Sequence, residues 1–149
     1  TETTFAKDIS DRQILRDWLL DLTDHLAGRL RHVGLRAKTV EIKIRSSDFR
    51  TRHRAQALPE ASNATDAIWQ TAQAILERSL AREILPVRLL GVGATRLTSE
   101  SAVQRRLFDA DDHSRQRSLD QTVDAIRKQF GTTAVQRGAI LDRVEKEEP

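Results

Sequence analysis

Residues 39–55 run Thr39-Val40-Glu41-Ile42-Lys43-Ile44-Arg45-Ser46-Ser47-Asp48-Phe49-Arg50-Thr51-Arg52-His53-Arg54-Ala55. The first seven alternate strictly. Val40, Ile42 and Ile44 face a core while Glu41, Lys43 and Arg45 face outward, the pattern of a half-buried antiparallel strand. Ser46-Ser47-Asp48 is turn chemistry. Beyond it Arg50, Arg52 and Arg54 recur at period 2, so in a strand three guanidinium groups stand on one side, with Phe49, Thr51, His53 and Ala55 on the other. Two strands this close in sequence form a hairpin, and Lys43 and Arg45 are expected to share a face with the three arginines. Charges along a strand can simply protect a solvated sheet edge. Five cations on one side of a hairpin exceed that need and attract phosphate, because each guanidinium is always charged and offers a fork of donors.

Helices flank the hairpin in sequence. Before it, Ile14, Leu15, Trp18, Leu19, Leu22, Leu26, Leu30 and Val33 recur at helical spacing and predict a helix from about Asp11 to Val33. Ser10 with Gln13 makes a capping box at its start, and Gly34 stands where a left-handed cap ends it. After the hairpin, Leu58-Pro59 ends the strand and Ser62 or Asn63 offers a cap. Ile68, Ala72, Ile75, Leu76 and Leu80 form the stripe of a second helix, running to about Arg82 before Leu85-Pro86 breaks it. Val87 to Thr95 is a near-continuous apolar run, as in a central strand, with Gly91 and Gly93 as candidate bulge positions. Thr1 to Phe5 supplies one more strand.

The order strand, helix, two strands, helix, strand predicts an α+β fold. One four-stranded, mainly antiparallel sheet carries both helices on a single face and leaves the basic face open. Arg88 is a further candidate for that face. The expected division is a domain over 1–97, a linker over 98–117, and a C-terminal helix with a tail over 118–149. In the linker, Gln104-Arg105-Arg106-Leu107-Phe108 holds an isolated Leu-Phe pair between polar runs, the form of a short docking motif. Ser118 and Gln121 make a second capping box, followed by Leu119, Val123, Ile126 and Phe130 at helical spacing up to Gly131. That stripe must be buried on this domain, on a partner or on a second copy. The tail carries a small apolar cluster at Val135, Ile140 and Leu141.

Composition narrows the function classes. In 149 residues, 25 Lys and Arg nearly balance 22 Asp and Glu, for a net charge of +3. A nucleic-acid footprint must therefore come from local clustering. The absence of Cys excludes disulfides, thiol catalysis and cysteine-bound metals, and is compatible with the cytosol. No apolar run approaches the ~20 residues of a membrane span. His25, His32, His53 and His113 lack ligand spacing, and Asp109, Asp111 and Asp112 read as a solvated spacer. The chain begins at Thr1 and contains no Met, the appearance of a piece of a longer protein.

These residues together resemble the C-terminal little-finger domain of Y-family translesion DNA polymerases, close to the bacterial polymerase IV type. The resemblance is carried by Glu2 to Ile9, by Phe49-Arg50-Thr51 with Arg54 and Leu58, and by Val87 to Val92. Gln104-x-x-Leu107-Phe108 is similar to the pentapeptide by which these polymerases bind the sliding clamp, although Arg105 and Arg106 replace the usual Leu, Ser or Asp. Ala125 to Gly131 and Val135 to Gly138 resemble the family's C-terminal extension.

The resemblance implies that the open face lies in the major groove of primer-template duplex DNA and grips phosphates through Lys43, Arg45, Arg50, Thr51, Arg52, Arg54 and Arg88. It implies clamp binding through Gln104, Leu107 and Phe108. It also implies no catalysis and no cofactor in this chain, since the carboxylates that hold the parent enzyme's Mg2+ belong to catalytic domains that precede it. Two other readings stand beside this one. A single-stranded RNA binder would want aromatic side chains on the open face, where the strands offer only Phe5 and Phe49. A protein-interaction module could form a homodimer through the C-terminal helix.

Overall fold

The computed structural model describes residues 1–81, 86–99 and 110–138, with side chains of the last segment from Ser114 onward. The described residues form β1 (Glu2–Ile9), α1 (Arg12–His32), β2 (Leu35–Ser46), β3 (Thr51–Ser62), α2 (Thr65–Leu80), β4 (Val87–Ser99) and α3 (Ala110–Phe130). The strands make one sheet in the order β1-β4-β2-β3, and every neighbouring pair is antiparallel. The apolar run of β4 therefore lies inside the sheet, as its composition predicts.

The core is the meeting of two periodicities. Val40, Ile42 and Ile44 from β2 and Leu90 and Val92 from β4 point to one face and are buried there. Leu15, Leu19, Leu22 and Leu26 of α1 and Ile68, Ala72, Ile75 and Leu76 of α2 cover them in a single apolar cluster. Each Val, Leu or Ile side chain so buried contributes roughly 1.5–3 kcal/mol of transfer free energy. Phe5 of β1 closes one margin against Trp18, with ring centroids 5.4 Å apart. No described helix is long and apolar enough to cross a membrane.

Several local signals resolve differently from their sequence reading. The cap of α1 is Asp11, not Ser10: its carboxylate accepts the amides of Gln13 at 2.8 Å and Ile14 at 3.3 Å. A carboxylate one residue nearer the helix simply outcompetes the hydroxyl. Gly34 does take the left-handed conformation, at φ 70°. The third strand does not end at Leu58-Pro59 but continues to Ser62. Pro59 is tolerated because β3 is an edge strand, where a missing amide can face away from the ladder. The partner register shifts nearby, from Thr39–Ala57 to Ala37–Ser62.

The cap position of α2 is Ala64, not Ser62 or Asn63, and the side chain of Ala64 has no oxygen to offer. Ser62 Oγ instead accepts the Ala64 amide at 3.0 Å, and Asn63 Nδ2 is spent on the carbonyl of Leu35. The C-terminal helix starts at Ala110, so Ser118 lies within it and is no cap. The expected helix end at Arg82, the Gln104–Phe108 motif and the Ile140–Leu141 pair lie outside the described residues.

Candidate nucleic-acid interface

The hairpin register decides where each cation points. Across β2 and β3, Arg45 faces Thr51, Ile44 faces Arg52, Lys43 faces His53 and Ile42 faces Arg54. Residues directly opposite on antiparallel strands share a face. Arg52 and Arg54 therefore project to the same side as the buried Ile44 and Ile42, and only Lys43 and Arg45 stand on the open face, beside Thr51 and His53. The expected single row of five cations is thus two groups on opposite sides of the edge strand β3.

The loop between the strands sets this parity. Ser46 and Arg50 close it through the Ser46 amide and the Arg50 carbonyl at 3.1 Å. Inside it Asp48 accepts from the Ser46 hydroxyl and from the Arg50 amide, bonds that hold its carboxyl below the usual range. Phe49 takes a left-handed φ of 64°. Arg50 belongs to this loop and not to the strand. Its side chain is 76% exposed at the hairpin tip, with Nε 3.5 Å from Asp48 Oδ2.

On the open face, Arg45 Nε donates to Thr51 Oγ1 at 2.8 Å. Lys43 Nζ meets Glu2 Oε2 at 2.9 Å, a hydrogen bond that is the leading cause of Glu2's lowered pKa. Gly91 lies between these two residues in the sheet, paired with Glu2 on one side and Lys43 on the other. Gly93 pairs with Glu41 on the β2 side. The result is a shallow hollow lined by Glu2, Glu41, Lys43, His53, Gly91 and Gly93.

At the hairpin end of β4 the register passes from Arg45–Leu89 to Ser46–Val87, which leaves Arg88 as the extra residue of a bulge. The bulge therefore sits at Arg88 and not at the glycines. Arg88 Nε lies 3.2 Å from Asp8 Oδ1, and its guanidinium stands 4.5 Å over the Phe49 ring. That clamp of one carboxylate and one aromatic face holds the cation beside the hairpin tip.

On the other side of β3, Arg54 is exposed and donates to the His53 carbonyl at 3.0 Å. Arg78 in the last turn of α2 extends to Gln56 of the same strand. Arg52, Arg54 and Arg78 thus lie along one margin where strand and helix meet. The hairpin gathers Lys43, Arg45, Arg50, Thr51, Arg52, Arg54 and Arg88, but around a strand edge and a tip in place of a flat face.

Glu2, Glu41, Gly91, Gly93 and Arg78 escaped the sequence-derived site. Signals for Glu41, Gly91 and Gly93 exist. Period 2 puts Glu41 beside Lys43, and the spacing Gly-x-Gly puts both glycines on one face of a strand. Arg78 joins the margin through tertiary packing alone.

Comparison with known proteins agrees with this architecture. Residues 1–107 match the family profile described as the impB/mucB/samB family C-terminal domain. A DNA polymerase IV of Clostridium acetobutylicum is 35% identical over 145 residues, covering 97% of this chain and 36% of that protein. A DNA polymerase IV of Dehalococcoides mccartyi is 33% identical over 137 residues, covering 92% of this chain and 34% of the relative. The chain therefore spans about a third of the length of these relatives. Among solved structures, a complex of the beta-clamp processivity factor with the little finger domain of PolIV superposes with a TM-score of 0.53 at 24% identity. The match covers 72% of this chain and 96% of that one.

Proposed function

Because the chain belongs to the impB/mucB/samB family as its C-terminal domain, we propose that it grips duplex DNA without regard to sequence for a translesion polymerase of the polymerase IV type. The observation that carries this reading is the edge strand β3. On one side of it stand its own Thr51 with Lys43 and Arg45 of the neighbouring β2, on the other its Arg52 and Arg54, and by the hairpin tip Arg50 of the loop and Arg88 of β4. A ridge with cations on both flanks suits a groove whose walls are two phosphate backbones. Phosphate contacts fix position and carry no base information, as a polymerase that accepts any template requires.

A second element of the proposal is a tether. Gln104, Leu107 and Phe108 would dock in the sliding clamp, in keeping with the clamp-bound little finger domain among the structural neighbours. The parent enzyme's nucleotidyl transfer and its Mg2+ ions would belong to catalytic domains outside this chain, working in the cytoplasm in DNA damage tolerance. A homodimer through α3 is the alternative partner. It is favoured by the exposure of Leu119 and Phe130, 51% and 69% respectively.

A salt titration against a fluorescent primer-template duplex tests the grip. Five or six neutralised phosphates give a log–log slope of roughly −4 to −6, independent of sequence. Absence of binding at low salt refutes the grip for the isolated domain. Addition of sliding clamp tests the tether: Leu107→Ala with Phe108→Ala abolishes the clamp complex and leaves the DNA slope unchanged.

A further inference from the structure

The C-terminal helix α3 is attached to the domain by charge. Asp24 of α1, 2% exposed, accepts Arg127 Nη2 at 2.7 Å and lies 3.7 Å from Arg137 Nε. Arg31 holds Asp124 by a two-point fork, Nε to Oδ2 at 2.6 Å and Nη2 to Oδ1 at 2.9 Å. Its Nη1 lies 3.4 Å from Asp120 Oδ2 and donates to the Asn63 carbonyl at 2.9 Å and Thr65 Oγ1 at 3.0 Å. The guanidinium keeps a raised pKa: burial works against its charge, and the Asp124 hydrogen bonds with the neighbouring carboxylates outweigh that.

Asp120 adds a second function to the cluster. It is 2% exposed, and its Oδ2 accepts the Thr65 amide at 3.2 Å. Thr65 is the first residue of α2, whose own cap residue, Ala64, makes no side-chain bond. The capping oxygen of α2 is therefore supplied by another helix. By contrast, Leu119 and Phe130 of α3 remain exposed, and the apolar cluster of the described residues includes no side chain of α3.

We propose that α3 is a releasable ionic latch with two states, docked and free. A buried charge cluster holds only while each charge keeps its partners; with one partner lost, the rest are better hydrated apart. The surface left behind on release is polar, made of Asp24, Arg31, Asn63 and Thr65, so the sheet and its two helices do not depend on it. Docking instead stiffens the start of α2 and fixes the residue at which the chain rejoins the domain.

The consequence for the tether rests on the function proposed above. The sheet ends at Ser99 and α3 begins at Ala110, so the intervening residues can reach across at most about 35 Å between fixed ends when α3 is docked. With α3 free, the clamp-binding segment belongs to a tail held at one end only. The latch thus selects between a short and a long tether.

The chain has no cysteine, so two introduced thiols report only the labelled sites. Spin labels on Val33→Cys and Gln129→Cys in the whole chain give one narrow distance when α3 is docked. In the double variant Asp124→Asn with Arg127→Gln the free, broadly distributed fraction rises at least tenfold, and Asp124→Glu retains the narrow peak. The near-UV signal of Trp18 and Trp69 stays unchanged throughout. A narrow peak persisting in the double variant overturns the latch. Loss of the tryptophan signal together with the peak also overturns it, because α3 would then be an integral part of the core. Clamp plays no part in the measurement, so failure of the latch and failure of the tether are distinguishable.

Discussion

Lys43 reaches Glu2 across the bare backbone of Gly91, with 2.9 Å between Nζ and Oε2. The three residues form one row over β2, β4 and β1. A cation on the open face is thereby matched inside the molecule before any phosphate arrives. In the proposed grip, binding DNA through Lys43 would mean exchanging a carboxylate for a phosphate.

Removing the competitor is expected to strengthen binding. Glu2→Gln should tighten the duplex complex a few-fold at neutral pH and steepen the log–log salt slope by about 0.9, one more phosphate's worth. Glu2 has a lowered pKa in the folded chain, led by the Lys43 hydrogen bond. Its small contribution to stability is therefore present above the unfolded value of about 4.3 and is lost as pH falls through the depressed one. Over that same fall the affinity of the parent chain should approach that of Glu2→Gln. Equal affinities at neutral pH would show that Lys43 takes no part in the grip.

The two flanks of β3 can be tested separately. Reversing Lys43 and Arg45 to Glu, and separately Arg52 and Arg54 to Glu, should each weaken duplex binding on the order of tenfold or more. If only the first pair matters, DNA lies flat on the open face and the far flank is solvated edge. Circular dichroism should show the fold unchanged in both.

Gly91 and Gly93 make an internal comparison. A Cβ on Gly91 would come within 2.9 Å of Glu2 Cβ, whereas one on Gly93 meets nothing within 4 Å. Gly91→Ala is expected to cost about 1–3 kcal/mol through the forced shift of β1. Gly93→Ala should be neutral or stabilise by about 0.4–1 kcal/mol, through the unfolded chain. Urea midpoints of the two variants would settle the order.

Leu19 is fully buried where α1 meets the sheet. Leu19→Ala should cost about 2–5 kcal/mol, visible as an earlier urea midpoint with an unchanged slope. A loss under 1 kcal/mol would mean that α1 can settle into the gap.

The elements were legible where burial imposes a period. The stripe from Leu15 to Leu30 and the alternation from Val40 to Arg45 each leave one solution, because half of their side chains must leave water. The hairpin register was not legible. Counting Arg50 into a strand placed Arg52 and Arg54 on the open face, but the loop extends through Arg50, and a change of register parity exchanges the faces. What lengthens the loop is the pairing of Asp48 with Ser46 and the Arg50 amide, together with the left-handed Phe49. Such bonds compete locally and leave no periodic trace. The Ser118–Gln121 box failed for a related reason: a capping pattern inside a longer helix has no orphan amides to serve. Asp120 as the cap of α2 depends on two helices meeting, which no local pattern records.

The sheet order also has a mechanical meaning. β1 lies on one edge and the cationic strand β3 on the other, so a load applied between them passes through three ladders in series. The β1–β4 ladder is the least regular, in register from Glu2 to Thr4 and resumed only at Ile9. Pulled apart at its edges, the domain should yield first at β1, leaving β3, β2 and β4 joined while Arg88 loses its carboxylate partner Asp8.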